Sequence, residues 1–297
     1  MREIAIIGGG PAGVTAAIYS ARAGFAPVIF EKLFVGGQIA SASIVENYPA
    51  TGSMSGFELA QKFAASLSDF DNQIINAEVI SLSVLDGKKV IKTADGEHQF
   101  KAVIICTGAV PKKLGVPGED LSAVSYCATC DGAFYKNKTV AVIGGGNTAV
   151  SDAVFLSSFC EKVYIIHRRD EFRADKVSVF EMLRIPNIEP IYNTVPKSFN
   201  GFPKVSSITL DNGDSIQVDG VFVAVGVTPV TGFLNNLGLN LDNLGAIITD
   251  NQMQTNIDGV FAAGDARSVS LRQIVTACAD GAISASAACS YLKKFPL

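Results

Sequence analysis

The sequence predicts an α/β protein built from two βαβ-type units, one inserted into the other. Three observations carry this expectation. An apolar strand running into a glycine turn and a helix occurs twice, as "IAIIGGGPAGVTAAIYSARAG" from Ile4 and as "TVAVIGGGNTAVSDAVFLSSF" from Thr139. Two further buried strands, "KAVIICTGAVPKK" and "DGVFVAVGVTP", stand at the ends of the two units. A last strand, "DGVFAAGDARS", is followed by a long helix, "LRQIVTACADGAISASAACSYL".

Composition sets the outer bounds. A chain of 297 residues is long enough for two domains and a sizeable core. Hydrophobic residues make up 48% and charged residues 18%, which fits a globular protein and not a disordered one. A net charge of −4 gives no reason to expect nucleic acid as a partner. No apolar run approaches the roughly 18 residues of a membrane span. The chain opens directly on the strand "REIAIIGGG" without a signal-peptide layout, so a cytoplasmic protein is expected.

The first glycine turn holds Gly8, Gly10 and Gly13 around Pro11 and Ala12. It fits the G-x-G-x-x-G pattern of a dinucleotide-binding, Rossmann-like unit. The first glycine permits the tight turn, the second lets backbone approach a pyrophosphate, and the third lets the helix pack on the strand. The helix N-terminus then offers free N–H groups to phosphate. Glu31 ends the next strand, "APVIFEK", where a carboxylate accepts from the hydroxyls of an unphosphorylated ribose. This site reads as FAD or NAD.

The second turn repeats the pattern with Gly144, Gly145, Gly146, Asn147, Thr148 and Ala149. At the offset where the first unit has Glu31, the second has His167, followed by Arg168, Arg169 and, further on, Arg173. Arginines here suit a 2′-phosphate, which a carboxylate would repel. This site reads as NADP. After the last strand, Gly264 and Asp265 stand where an acid can hold a ribityl hydroxyl of FAD. The final helix can direct its N-terminus at the flavin. The fold expected is therefore two Rossmann-like FAD/NAD(P)-binding domains. Residues 1–112 and 231–297 form a discontinuous FAD-binding domain, and residues 113–230 form the inserted NADPH-binding domain. Two crossings, Lys112 to Glu119 and Gly226 to Thr231, are the expected hinges.

Of six cysteines, only Cys127 and Cys130 are close, in "SYCATCDGAF". The others, Cys106, Cys160, Cys278 and Cys289, sit among apolar or small residues and are expected to be buried, inert thiols. Zinc would need four ligands, and there is no second C-x-x-C. The only histidines are His98, expected in a solvated loop, and His167. No metal is expected, and a redox or structural disulfide remains for the pair. Exchange at a redox pair needs a proton carrier. With neither histidine free, Asp131 is the candidate, against the alternative that it caps a turn.

These motifs resemble one family along nearly the whole chain, the low-molecular-weight, bacterial-type thioredoxin reductases. The resemblance rests on "GGGPAG", "GGQ", "ENYP", "CATCDG", "GGGNTA", "HRRDEFRA", "GVFAAGD" and "RQ". It places the cysteine pair in the NADPH domain, and the N-terminal segment "GGQIASASIVENYP" holds no cysteine. It implies FAD contacts at Gly8 to Gly13, Glu31, Gly36, Gly37, Gln38, Asn47, Gly264, Asp265, Arg272, Gln273 and Ile274. It implies NADPH contacts at Gly144 to Ala149, His167, Arg168, Arg169 and Arg173. It implies that Cys130 faces the flavin, that Cys127 attacks thioredoxin, that Asp131 carries the proton, and that the protein is a homodimer. Ile274, Ala133 and Ser151 depart from the family's usual alanine, phenylalanine and glutamate.

The function expected is transfer of electrons from NADPH through FAD and the Cys127–Cys130 disulfide to thioredoxin. The disulfide and the nicotinamide site share one domain and one flavin, which implies a rotation between half-reactions. A ferredoxin-driven reductase, or one serving another acceptor, is the alternative. The intact "GGGNTA" and "HRRDEFR" argue against a ferredoxin donor.

Overall fold

A computed structural model describes residues 2–42 and 44–294. The chain divides into two compact units, Met1–Val110 with Thr228–Leu297, and Pro111–Val227. In chain order the first unit begins with β1 (Arg2–Ile7), α1 (Pro11–Arg22), β2 (Val28–Glu31), α2 (Gly56–Ala65), β3 (Gln73–Asn76), β4 (Ser81–Leu85), β5 (Lys88–Thr93) and β6 (Gly96–Ile105). A short strand, β7 (Ala109–Pro111), leads out of it. The second unit holds β8 (Val124–Ser125), α3 (Ala128–Asp131), β9 (Thr139–Ile143), α4 (Asn147–Ser157), β10 (Lys162–Ile166) and α5 (Lys176–Leu183). It continues with β11 (Ile188–Ile191), β12 (Pro196–Gly201), β13 (Val205–Leu210), β14 (Ser215–Gln217) and β15 (Gly220–Val223). The chain returns through β16 (Val227–Pro229) to β17 (Val260–Ala262) and α6 (Ile274–Lys293).

In the first unit, β3, β2, β1, β6 and β17 pair in parallel in that order. The N-terminal part of β6 pairs antiparallel with β5, and β5 with β4. A strand covered on both faces should be apolar throughout, and Ile4, Ala5 and Ile6 of β1 are fully buried. One face packs under α1 and α6 through residues such as Val14, Ala16, Ala285 and Ala288. The other packs through Phe30, Ile91, Phe100 and Val260. Proline at the first position starts α1 without losing a needed N–H. Ser55 and Glu58 close a reciprocal capping box on α2.

In the second unit, β11, β10, β9, β15 and β8 form an all-parallel sheet. Val140, Val142, Val163 and Ile165 bury one face, and Ala141, Ile166 and Val221 the other. An antiparallel β12–β13–β14 sheet packs its Phe199, Ile208 and Leu210 into the second of these clusters.

Two sequence expectations change here. His98 is not a solvated loop residue. It lies within β6 opposite Ile91, with its ring edge-on to Phe30 at 5.3 Å. The strand pleat carries it to the face where Phe30 and Phe100 pack. Cys278 is only half-buried and its Sγ lies 3.7 Å from the Tyr48 hydroxyl, whereas Cys106, Cys160 and Cys289 are buried as expected. Burial raises the thiols of Cys106, Cys160 and Cys289.

Candidate functional site

The first glycine turn lies at the C-terminal end of β1. Gly8 has φ +105° and donates to the Phe30 carbonyl at 2.8 Å; a Cβ there would strike the Cys106 carbonyl. A Cβ on Gly13 would strike the Gly8 carbonyl. Gly10 caps α1 with no side-chain bond to the first-turn N–H groups, and a Cβ on it would enter open space. The space in front of that helix start is therefore open, as an approaching phosphate would require. Ala12 is buried behind them.

Glu31 is fixed before any ligand arrives. One carboxylate oxygen accepts from the Gly9 N–H at 2.7 Å, the other from the Leu33 N–H at 2.9 Å. The Gly36–Gly37 turn closes beside it. Gly36 donates to the Gly9 carbonyl at 2.8 Å, and a Cβ on Gly37 would come within 3.1 Å of Gly10 Cα. Gln38 donates its amide to the Ala109 carbonyl.

The opposite side comes from the end of the chain. Gly264 adopts φ +70° and donates to Asp280 at 3.1 Å. Burial raises the Asp265 carboxyl, Arg272 opposes that, and the Asp280 charge adds to it. Arg272 buries Nε without a hydrogen-bond partner among the described residues, an atom left for a ligand. Asn47 donates to the Gln273 side chain at 2.9 Å, and Ile274 opens α6 immediately after. Residues far apart in sequence thus meet in one unit, and an open glycine turn with a buried arginine Nε that has no hydrogen-bond partner among the described residues fits a dinucleotide.

The second turn repeats the geometry at the end of β9. Gly144 donates to the Ile166 carbonyl at 3.0 Å, and a Cβ there would strike the Ala224 carbonyl and the Ala149 methyl. Gly146 caps α4 without a side-chain bond and faces open space, with Asn147 and Thr148 in the first turn. Arg173 donates its backbone N–H to the Gly145 carbonyl at 2.7 Å, and Asp175 its own to Asn147 Oδ1 at 2.8 Å. The arginine loop is therefore held against the glycine turn. Arg168, Arg169 and Arg173 are exposed. His167 is not. Its buried ring fills the space a Gly145 side chain would need and stacks on Phe172 at 5.4 Å. Burial lowers its pKa; a bond to the Glu171 backbone opposes this, and the three arginines reinforce it.

The cysteine pair lies in the same unit. Cys127 and Cys130 are joined as a disulfide across a Cα separation of 5.3 Å. Cys127 is the N-cap of α3, and both Cys130 and Asp131 donate backbone N–H groups to its carbonyl, at 3.2 and 3.1 Å. Cys127 is half-buried and Cys130 exposed. The Thr129 hydroxyl lies 3.4 Å from Cys127 Sγ.

Sequence reasoning missed the supports of this segment. Buried Ser125 donates to Asp131 Oδ2 at 2.6 Å and accepts from the Cys127 N–H at 3.1 Å. Tyr126 donates to Glu119 at 2.8 Å, and Glu119 also accepts from the Leu114 and Gly115 N–H groups. Burial by itself would raise the Glu119 carboxyl, but these three donors outweigh it and hold it low. The Ser-x-Cys spacing in "SYC" was the one signal available for Ser125.

Two glycine turns of the dinucleotide-binding kind, with a cystine in the same unit as the second, point to a pyridine-nucleotide-dependent disulfide oxidoreductase. The family model described as "Pyridine nucleotide-disulphide oxidoreductase" matches residues 2–281. A curated "Thioredoxin reductase" of Listeria innocua is 40% identical, covering 98% of this chain and 94% of its own. One of Bacillus subtilis is also 40% identical, covering 98% and 95%. The crystal structure of thioredoxin reductase from Streptococcus pyogenes superposes with a TM-score of 0.93 at 40% identity, over 99% of each chain. The chain belongs to the low-molecular-weight, bacterial-type thioredoxin reductase family.

Proposed function

We propose that this protein is an NADPH-dependent thioredoxin reductase, with FAD held by the first unit and NADPH by the second. Gly8 to Gly13, Glu31, Gly36 to Gln38, Asn47, Gly264, Asp265 and Arg272 to Ile274 hold the FAD. The turn Gly144 to Ala149 and the arginines 168, 169 and 173 hold the NADPH, with His167 supporting the turn from beneath. Bound there, the two cofactors supply hydride transfer and deliver an electron pair to the Cys127–Cys130 disulfide. The observation that carries this assignment is the cystine with an adjoining acid in the unit that bears the arginine-flanked glycine turn.

The reduced pair then acts by thiol–disulfide exchange. Cys127 attacks one sulfur of the thioredoxin disulfide, forming a mixed disulfide and releasing the other sulfur as a thiolate. Cys130 attacks Cys127 Sγ, re-forming the internal disulfide and releasing the second thiolate. Two electrons and two protons leave the cysteine pair and end on the two thioredoxin sulfurs. Asp131 takes the Cys130 thiol proton and returns it to a departing thiolate. Rotation of the second unit lets one flavin serve both the nicotinamide and the disulfide. The family supports a homodimer and a cytoplasmic location. Among the described residues no helix is long and apolar enough to cross a membrane.

Anaerobic titration of the flavin-loaded protein tests this assignment. NADPH is expected to bleach the flavin band and to deliver more electrons than flavin alone can hold, with NADH far less effective. A flavin reducible by dithionite but not by NADPH would instead favour a ferredoxin-type donor.

A further inference from the structure

We propose that Ser125 is a positioning residue for the exchange reaction, holding the Asp131 carboxylate in place through the cycle of disulfide opening and closing. The inference rests on the assignment of Asp131 as proton carrier. Ser125 ends β8, where Ser125 pairs with Phe222 of β15, and it is buried. Its backbone therefore belongs to the sheet and not to the cysteine loop.

The hydroxyl has one proton to give and lone pairs to receive. It receives from the Cys127 N–H at 3.1 Å. Its proton has two acceptors in reach, Asp131 Oδ2 at 2.6 Å and the Cys127 carbonyl at 3.4 Å. The shorter, charge-assisted bond to the carboxylate is the stronger of the two. Asp131 is thus held twice, by its backbone N–H on the Cys127 carbonyl and by its side chain on the sheet.

The consequence follows from what reduction changes. Opening the disulfide frees the Sγ atoms of Cys127 and Cys130 from each other. Nothing in the Ser125–Asp131 bond depends on that link. Asp131 keeps one oxygen committed to Ser125. That leaves Oδ1 as the oxygen that would take a thiol proton. An acceptor held in place while the disulfide opens and closes is what proton transfer by Asp131 requires.

The competing role for Ser125 is local, as acceptor for the Cys127 N–H, and a double-mutant cycle separates the two. Wild type, Ser125→Ala, Asp131→Asn and the double variant are compared, each with flavin bound. Each is reduced anaerobically with NADPH and mixed with an oxidised bacterial thioredoxin in stopped flow. Asp131→Asn is expected to slow reoxidation. Ser125→Ala is expected to slow it about tenfold in the wild-type background, to add nothing to Asp131→Asn, and to leave flavin reduction by NADPH unchanged. Ser125→Thr, which keeps the hydroxyl, should recover most of the rate. A Thr variant slower than the Ala variant would mean that side-chain size, not the hydroxyl, matters, and would overturn the proposal. So would an equal slowing by Ser125→Ala in both backgrounds, which assigns the effect to the loop. Wild-type reoxidation in Asp131→Asn would instead remove the Asp131 assignment itself, and Ser125's role with it.

Discussion

Asp152 lies in α4, and burial pushes its carboxyl up from the ordinary 3.8 to about 6. Below roughly pH 4 the residue is protonated in both folded and unfolded chains and costs nothing. As the pH rises toward 6, the unfolded chain ionises while the folded chain keeps its proton, so stability falls. Above 6 the full cost is present, about 3 kcal/mol. Asp152→Asn should therefore raise the melting temperature of the Pro111–Val227 unit at pH 7.5 and lose that gain near pH 4. An equal gain at both pH values would mean that charge is not the cause. Asp152 shows where sequence reasoning stops. The glycines of both turns and Glu31 were legible because their chemistry is fixed by residue type and spacing. The burial of Asp152 and the bond from Ser125 to Asp131 depend on what packs around them. His167 lies between these cases: the offset from Gly144 puts it at the end of β10, as found, but its place under Gly145, inside the turn, is not visible from its arginine neighbours.

The first unit depends on how closely α6 approaches α1. Gly281 sits in α6 where a Cβ would strike the Ala12 carbonyl and come within 3.1 Å of Thr15 Cβ. Gly264 stands equally close to the Ala12 methyl. A side chain at Gly281 must push α6 from the helix whose N-terminus faces the dinucleotide cleft. Gly281→Val should cost about 2 kcal/mol by overpacking and lower the FAD retained on purification. Gly232→Ala is the matched control, because a Cβ there meets nothing within 4 Å. Its melting temperature and FAD content should stay at wild-type values; equal damage from both would reject close helix approach as the cause. Elements of this kind were well marked in sequence. Strand, glycine turn and helix came in order twice, and a third strand and helix followed. The boundaries were less well marked. The last helix starts at Ile274 and not at Leu271, because Gln273 and Thr276 make a reciprocal cap that composition does not announce. "ADGEHQF" reads as a turn followed by a strand with His98 on the turn side, yet β6 begins at Gly96 and carries it into the sheet.

At the scale of the whole molecule, electron flow sets a requirement that neither unit meets alone. The first glycine turn, proposed to hold the flavin, lies in Met1–Val110 with Thr228–Leu297. The second glycine turn, its arginines and the Cys127–Cys130 disulfide all lie in Pro111–Val227. In the proposed function a bound nicotinamide would supply hydride to the flavin, and the disulfide would take its electrons from the same flavin. The proposed function has both groups reach one flavin by turns through motion of the unit that carries them, and the chain passes between the units through the segments of β7 and β16. Motions of this type run on the microsecond-to-millisecond scale. Dyes placed at the exposed residues Asp69 and Asn212, one in each unit, should report two transfer efficiencies. Their populations should shift when NADPH is added anaerobically, and a bifunctional cross-link that abolishes one population should abolish turnover. A single efficiency, unchanged by NADPH in an enzyme that turns over at full rate, would show that the two half-reactions share the flavin without rotation.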